Sequence, residues 1–121
     1  MERIAEGEYA VMEVLWREAP LTAAEVAERV PADRDWSLAT VKTMLSHLLA
    51  KGVLAHDEDG RRYLYRPAID REDYVAEESG RLIDRMFAGR VTPLVAQLAA
   101  RDRLSPADIE EIEALLKELK S

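Results

Sequence analysis

The chain has 121 residues, which suits one domain or one small domain with an appendage, and a monomer of this length buries only about two-thirds of its unfolded surface. With 24 acidic and 17 basic residues its formal net charge is −7, which argues against non-specific binding to nucleic acid or to acidic membranes. The lack of cysteine in the sequence excludes disulfides, thiolate nucleophiles and cysteine-based metal sites, and it agrees with a reducing cytoplasm.

The first two predicted elements are helices. Up to Pro20, apolar residues recur at spacings of three and four, as an amphipathic helix requires. In the stretch PLTAAEV, Thr22 is the predicted N-cap and Glu25 completes a capping box, so the second helix should begin near Ala23. The N-terminus lacks the basic start and apolar run of a signal peptide, and no stretch approaches the ~20 apolar residues of a membrane span. We therefore expect a cytoplasmic protein without membrane insertion.

The third predicted helix is the stretch SLATVKTMLSHLLAKG, residues 37–52, which contains no acid. Ser37 is its predicted N-cap, and Gly52 can adopt the left-handed conformation that ends it. Its apolar residues fall on one face and are Val41, Leu45, Leu48 and Leu49. The opposite face is small, hydrogen-bonding and cationic, and it comprises Thr40, Thr43, Ser46 and His47, with Lys42 and Lys51 on its two flanks.

After Gly52 the pattern changes to that of a β-hairpin. VLAH and RRYLYRP are predicted strands around a turn at DEDG, in which Gly60 is free to take positive φ. Arg61 and Arg62 stand where the chain leaves this turn. The order helix, helix, acid-free helix, hairpin is typical of a winged helix-turn-helix, in which the third helix enters the DNA major groove and the hairpin, or wing, touches phosphates.

The distribution of charge agrees with this interpretation. Residues 36–67 carry five bases and three acids, whereas residues 1–35 and 68–121 are both net acidic. A helix in the major groove cannot hold unpaired carboxylates near phosphates, and short Thr and Ser side chains let its backbone approach the bases. Acid-free helices also occur on ordinary solvated faces, and winged helices also serve as protein-binding modules. A winged-helix interaction module without sequence-specific DNA binding therefore stays open as the alternative.

The C-terminal part contains three more predicted helices. Their starts are Asp70, Thr92 with Pro93, and Ser105 with Pro106. Each helix carries an apolar stripe, and little chain is left to cover these stripes within one protomer, so we expect a symmetric dimer interface. An ordinary intrachain core is the alternative. The residues expected in the interface are Val75, Leu82, Ile83, Met86, Phe87, Leu94, Leu98, Ile112 and Leu116.

The predicted fold is mainly α with a small hairpin: a winged-helix DNA-binding domain in residues 1–68 and a helical dimerisation domain in residues 69–121. The stretches VMEVLW, PLTAAEVAE, DWSLATVKTMLSHLLAKGVL and GRRYLYRP resemble the penicillinase repressor family (BlaI/MecI type) of bacterial transcriptional regulators, and the resemblance weakens after about Leu98. It implies a homodimeric repressor of antibiotic-resistance or related stress genes that binds an inverted-repeat operator in double-stranded DNA.

By position, the resemblance also assigns DNA-binding residues. They are Ser37, Thr40, Lys42, Thr43 and Ser46 on the recognition helix and Arg61 and Arg62 on the wing. His47 joins this set because it lies on the same face of the helix.

Release from DNA is a further implication of the resemblance. Family members are inactivated by cleavage in the dimerisation helices, carried out by a membrane-bound metalloprotease that senses a β-lactam. The corresponding stretch here is PLVAQLAA, and the matching bond joins Gln97 to Leu98. Copper-responsive relatives carry paired C-terminal cysteines that this sequence lacks, so we expect neither a metal nor another cofactor.

The sequence offers no constellation for catalysis. Its two histidines fall on different predicted elements, and it has no Gly-rich phosphate loop. The acid pairs Glu77-Glu78 and Glu110-Glu111 are neighbours on helices, so their side chains diverge and suit solvated faces. We expect no enzymatic activity.

Overall fold

The computed structural model describes residues 3–121, which form two compact units, one ending at Tyr74 and the other comprising Val75–Ser121. The helices are α1 (Glu6–Arg17), α2 (Ala23–Arg29), α3 (Leu38–Ala50), α4 (Arg71–Phe87), α5 (Thr92–Ala100) and α6 (Pro106–Lys120), with a short 3-10 helix at Ala32–Arg34. The strands are β1 (Leu54–Asp59) and β2 (Arg62–Pro67), which pair antiparallel. The predicted order of helix, helix, helix and hairpin is confirmed.

Local capping explains where α2 begins. The Thr22 hydroxyl accepts a hydrogen bond from the Glu25 backbone N–H at 3.2 Å, and the Glu25 carboxylate accepts one from the Thr22 N–H at 2.9 Å. These two bonds satisfy donors that a helix start otherwise leaves open. The bond from the Thr22 backbone holds the pKa of Glu25 below its ordinary value. The predicted capping box and the predicted start at Ala23 are both confirmed.

Helix α3 has the predicted cap and the predicted end. The Ser37 hydroxyl accepts a hydrogen bond from the Thr40 N–H at 3.1 Å, and Gly52 has φ of +77° just beyond the last turn. A side chain at Gly52 would be strained by this conformation. The apolar face of α3 packs with α1, α2 and the hairpin, and the buried residues of this core include Val11, Met12, Leu15, Val26, Val41, Leu45, Leu48 and Val53.

The hairpin is longer than predicted, and its turn lies elsewhere. Asp59 pairs with Arg62, so the connection is Gly60 and Arg61, with φ of +66° at Gly60. The prediction that the turn lies at DEDG is therefore wrong for its three acids, because residues 57–59 belong to β1, although they are exposed as a turn would be. Leu21 exchanges two backbone hydrogen bonds with Tyr65, at 3.1 and 2.7 Å, and these tie β2 to the start of α2.

The first turn of α4 packs on the winged-helix unit. Tyr74 is buried and lies 5.9 Å from Trp16, measured between ring centroids, while Arg71 contacts the Glu13 carboxylate at 2.7 Å. The Trp16 indole N–H donates to the Ile69 carbonyl at 3.0 Å. The first compact unit consequently extends six residues past position 68. The predicted division of roles between residues 1–68 and 69–121 stays a prediction.

In the second unit the predicted helix starts are confirmed. Proline occupies the first turn of α5 and of α6, and Ser105 and Asp108 form a capping box with two bonds of 3.0 Å. Helix α4 ends at Phe87, and the next two residues are left-handed, with φ of +51° at Ala88 and +79° at Gly89. None of residues 75–121 is buried in the single chain. No helix among residues 3–121 is long and apolar enough to cross a membrane.

Candidate nucleic-acid interface

The outward face of α3 displays the polar residues that the sequence predicts there. Lys42, Thr43, Ser46 and His47 are exposed, and Thr40 is half-buried. The Thr43 hydroxyl donates its proton to the Ala39 carbonyl at 3.0 Å, so it turns acceptor lone pairs to solvent. This face therefore presents hydroxyl acceptors and one cation on a helix without carboxylates.

Ser37 has a different local role from the other predicted residues of this helix. Its hydroxyl caps α3 and also lies 3.0 Å from the Thr40 hydroxyl. It is exposed at the start of the helix, where a cap can still meet a phosphate or a base. Its contact with DNA stays a prediction.

A groove of about 510 Å³ runs between α3 and the hairpin. Lys42 comes from α3, and Arg61 and Arg62 come from the hairpin turn and the start of β2, so the fold brings three predicted cations to one place. The remaining lining residues are Thr22, Ala24, Leu38, Tyr63 and Tyr65. Three cations around an open groove make a site suited to a phosphate chain.

The three cations differ in how they are paired. Lys42 and Arg61 form no ion pair with any residue from 3 to 121, whereas Arg62 contacts the Asp59 carboxylate through two nitrogens at 3.1 and 2.8 Å. A similar pair, between Arg66 and Asp57 at 3.0 Å, was not predicted. The spacing along β2 could have indicated this pair, because Arg66 lies four residues from Arg62 on the same strand and therefore on the same face.

The opposite edge of α3 meets the first turn of α1 through a buried carboxylate. Glu8 is the one charged side chain that is buried among the described residues, with 6% of its surface exposed. One of its oxygens, Oε1, accepts from the Lys51 ammonium and from the Ala5 N–H, the latter at 2.9 Å. The other, Oε2, lies 3.4 Å from Nδ1 of His47.

These contacts change the expected role of Lys51. The sequence places it on the flank of the cationic face, but it turns inward to Glu8 and to the Arg3 carbonyl at 2.9 Å, because a buried carboxylate needs a partner. Burial pushes the pKa of Glu8 upward, but the hydrogen bonds from Lys51 and Ala5 and the charges of Lys51 and His47 outweigh burial and leave that pKa below its ordinary value. Glu8 is therefore ionised and paired at neutral pH.

Comparison with known proteins matches this architecture. A family model for the penicillinase repressor covers residues 4–118 of this chain. The chain belongs to the penicillinase repressor family. It is 33% identical over 119 residues to the penicillinase repressor of Bacillus licheniformis, an alignment that covers 98% of this chain and 93% of that protein. It is 26% identical over 113 residues to the methicillin resistance regulatory protein MecI of Staphylococcus aureus strain N315, covering 93% of this chain and 92% of MecI.

A solved structure of a family member covers the winged-helix part. The Bacillus licheniformis BlaI monomer in complex with the blaP half-operator is 37% identical, with a TM-score of 0.52, and the match covers 60% of this chain and 89% of that one. The predicted fold class and the predicted family are thus confirmed. The protein is a winged-helix repressor of the BlaI/MecI type and not an enzyme.

Proposed function

We propose that the protein is a homodimeric repressor that binds an inverted-repeat operator and controls genes of β-lactam resistance or of a related stress response. Helix α3 of each protomer enters a major groove, and the hairpin lies along the phosphate backbone. The names of the relatives support the choice of genes, since one is a penicillinase repressor and another regulates methicillin resistance.

One observation carries the DNA-binding proposal: Lys42, Arg61 and Arg62 line a single groove beside an acid-free helix face. Phosphates carry one charge each, so cations that converge from α3 and from the hairpin can hold one strand in the groove between the recognition helix and the hairpin. The hydroxyls of Thr43 and Ser46 are short enough to let the helix backbone approach base edges.

The acidic composition of the chain is compatible with this proposal. A twofold molecule presents two α3 faces to one side of a duplex, while its acidic remainder opposes binding at random sites. The affinity for DNA then depends on one dimer contacting two half-sites at once, and this favours an inverted repeat over unrelated DNA.

The exposure of the C-terminal helices supports the homodimer. All nine residues expected in the interface are exposed or half-buried in the single chain, including Met86 with 61% and Leu116 with 52% of the surface exposed. Large exposed apolar patches on a single chain mark surfaces that associate. We infer that a second copy covers them through a symmetric contact.

Release by proteolysis completes the proposal. The bond between Gln97 and Leu98 lies inside α5, whose helix is one of those expected at the interface. Cutting it would detach the whole of α6 from the winged-helix unit. A membrane-bound sensor metalloprotease is the partner that this step requires.

Three substitutions test whether α3 and the protein groove beside it contact DNA. Lys42→Ala and Arg61→Ala should weaken binding to every duplex and lower the magnitude of the salt slope by about one unit each, since each removes one phosphate contact. Thr43→Val keeps the size of the side chain but removes its hydroxyl, so it should change sequence preference and leave the slope unchanged. Binding is measured by titration against selected and random duplexes at several salt concentrations.

Lys117→Ala on α6 is the matched control, because it removes the same charge from the other unit. It should leave the salt slope as it is in the parent. If the parent binds selected and random duplexes equally, the winged helix is a protein-interaction module and the repressor proposal fails. If the parent selects a sequence but Lys42→Ala, Arg61→Ala and Thr43→Val bind DNA as the parent does, the protein binds DNA through other residues.

A further inference from the structure

The contact between Glu8 and His47 connects a residue outside the recognition helix to the face that meets DNA. His47 lies in the last turn of α3 with 60% of its side chain exposed, whereas only 8% of the Glu8 side chain is exposed. The buried charge of Glu8, which lies beside the exposed His47 ring, can orient that ring without contacting DNA itself.

The two oxygens of Glu8 have different partners. Lys51 and the Ala5 N–H both contact Oε1, and this holds the carboxylate in place from the end of α3 and the start of α1. Oε2 is left to face Nδ1 of His47 at 3.4 Å. The carboxylate is anchored independently of the histidine, so its negative charge has a fixed position beside the ring.

The position of the negative charge selects a tautomer of the imidazole. A neutral imidazole carries one proton, and a carboxylate beside Nδ1 favours the form in which that nitrogen is protonated. Nε2 is then left with a lone pair and points away from Glu8. Free histidine in water prefers the opposite arrangement, with the proton on Nε2, so the effect of Glu8 is measurable.

We propose that Glu8 is a positioning residue for base recognition, and that His47 uses an unprotonated Nε2 to accept a hydrogen bond from the amino group of adenine or cytosine in the major groove. This inference rests on the proposed function, since it needs α3 in that groove. Adenine N6 and cytosine N4 are the amino donors that the major groove displays, whereas guanine offers acceptors that a lone pair would repel. His47 would thereby discriminate at one base pair in each half-site.

Matched variants separate positioning from folding. Glu8→Gln keeps the size of the side chain but removes its charge, and His47→Ala removes the imidazole that is proposed to contact the base. Glu6→Gln alters the neighbouring acid in the first turn of α1, which pairs with Arg34 at 2.8 Å rather than with α3. Lys51→Gln removes the partner of Oε1, so it should lower stability while the His47 tautomer stays the same.

The first measurement is the nitrogen chemical shifts of the His47 ring in the free, full-length protein at pH 8. We expect the proton on Nδ1 in the parent, in Glu6→Gln and in Lys51→Gln, and a return towards the Nε2-protonated form in Glu8→Gln. A purely structural role for Glu8 would alter thermal stability without moving this signal. A parent ring with its proton on Nε2 overturns the inference even if no variant folds.

The second measurement is binding to the inverted repeat that the parent selects from a random duplex pool, with each base pair varied in turn. Glu8→Gln and His47→Ala should lose discrimination at the same base pair, about tenfold each, and Glu6→Gln should lose none. If the parent selects a sequence but the two variants discriminate as it does, this inference fails and the proposed function stands. If the parent selects no sequence, the proposed function fails, and the inference fails with it.

Discussion

The ion pair between Arg62 and Asp59 competes with any contact between Arg62 and a phosphate. Both side chains are more than half exposed, at 63% and 52%, so the pair contributes little to stability and can exchange readily. Lys42 and Arg61 have no such competitor among the described residues. The strength of DNA binding should therefore depend on Asp59, because this acid competes with phosphate for Arg62.

Asp59→Asn should raise affinity for all duplexes, because Arg62 no longer has to leave a carboxylate. We expect a gain of about twofold to fivefold, the range of an exposed ion pair. Asp57→Asn is the control, since it removes the same charge from the same hairpin but releases Arg66, which does not line the groove. Titrations at one fixed salt concentration compare the two, and an equal gain from both would mean that net charge alone is responsible.

Glu8 stabilises the fold as well as facing the recognition helix. Because its folded pKa lies below its ordinary value, its contribution to stability is complete above the unfolded pKa of about 4.3 and disappears as the pH falls through the folded pKa. Glu8→Gln should lower the free energy of unfolding by about 1–3 kcal/mol at neutral pH. Denaturant titrations should show this difference in full above about pH 5 and shrinking in more acidic solution. A difference that grows towards low pH would contradict the assignment, and Glu6→Gln is the comparison variant.

The Glu8 contacts also show what the sequence leaves open at the level of single residues. The outer face of α3 follows from helical periodicity, so Lys42, Thr43 and His47 are exposed where the pattern predicts. Lys51 lies on the other flank of that face and has a long, flexible side chain, and its direction depends on a partner 43 residues away in the chain. Periodicity assigns a residue to a face and cannot assign its partner.

At the level of elements, starts and stops follow from local chemistry, whereas strand length does not. The caps at Thr22, Ser37 and Ser105 need only residues within three positions, and all three predictions are confirmed. Strand β1 runs through three acids that have low strand propensity. Two exposed ion pairs cross the hairpin, from Asp57 to Arg66 and from Asp59 to Arg62, and they depend on the register of the two strands, which strand propensity does not predict.

Helix α5 protects the bond between Gln97 and Leu98. A protease binds its substrate in an extended form, so this helix must open before the bond is cut. Ala96→Gly and Ala99→Gly lower helix stability by about 1 kcal/mol each, and each should speed cleavage about fivefold. Ala76→Gly in α4 is the control, and it should not affect this bond. Rates are measured by mass spectrometry with a protease that cuts before large apolar residues, and equal rates in all variants would show that opening of α5 does not limit cleavage.

At the level of the whole molecule, the proposed dimer converts two weak half-site contacts into one strong contact. Leu116→Asp places an unpaired charge in the expected interface, where its desolvation costs several kcal/mol, so the dimer should dissociate. Ala114→Asp is the matched control, because it adds the same charge on the opposite face of α6. Sedimentation should show a monomer for the first variant and a dimer for the second and for the parent. A parent that is monomeric at micromolar concentration removes the dimer proposal.

A chain that ends at Gln97 reproduces the product of the proposed cleavage and tests the release step. It loses Leu98 and all of α6, including Ile109, Leu115, Leu116 and Leu119, so the interface loses apolar area that contributes about 25 cal/mol for each Å² buried. The winged-helix unit is left complete, because its buried core ends at Tyr74, and binding to a single half-site should stay near that of the parent unit. Binding to the full inverted repeat should fall by a factor of about 10²–10⁴, because the second half-site is no longer reached at high effective concentration. Titrations against one half-site and against the full repeat measure both quantities. A truncated chain that dimerises and holds the full repeat as tightly as the parent would show that cutting this bond cannot release the operator.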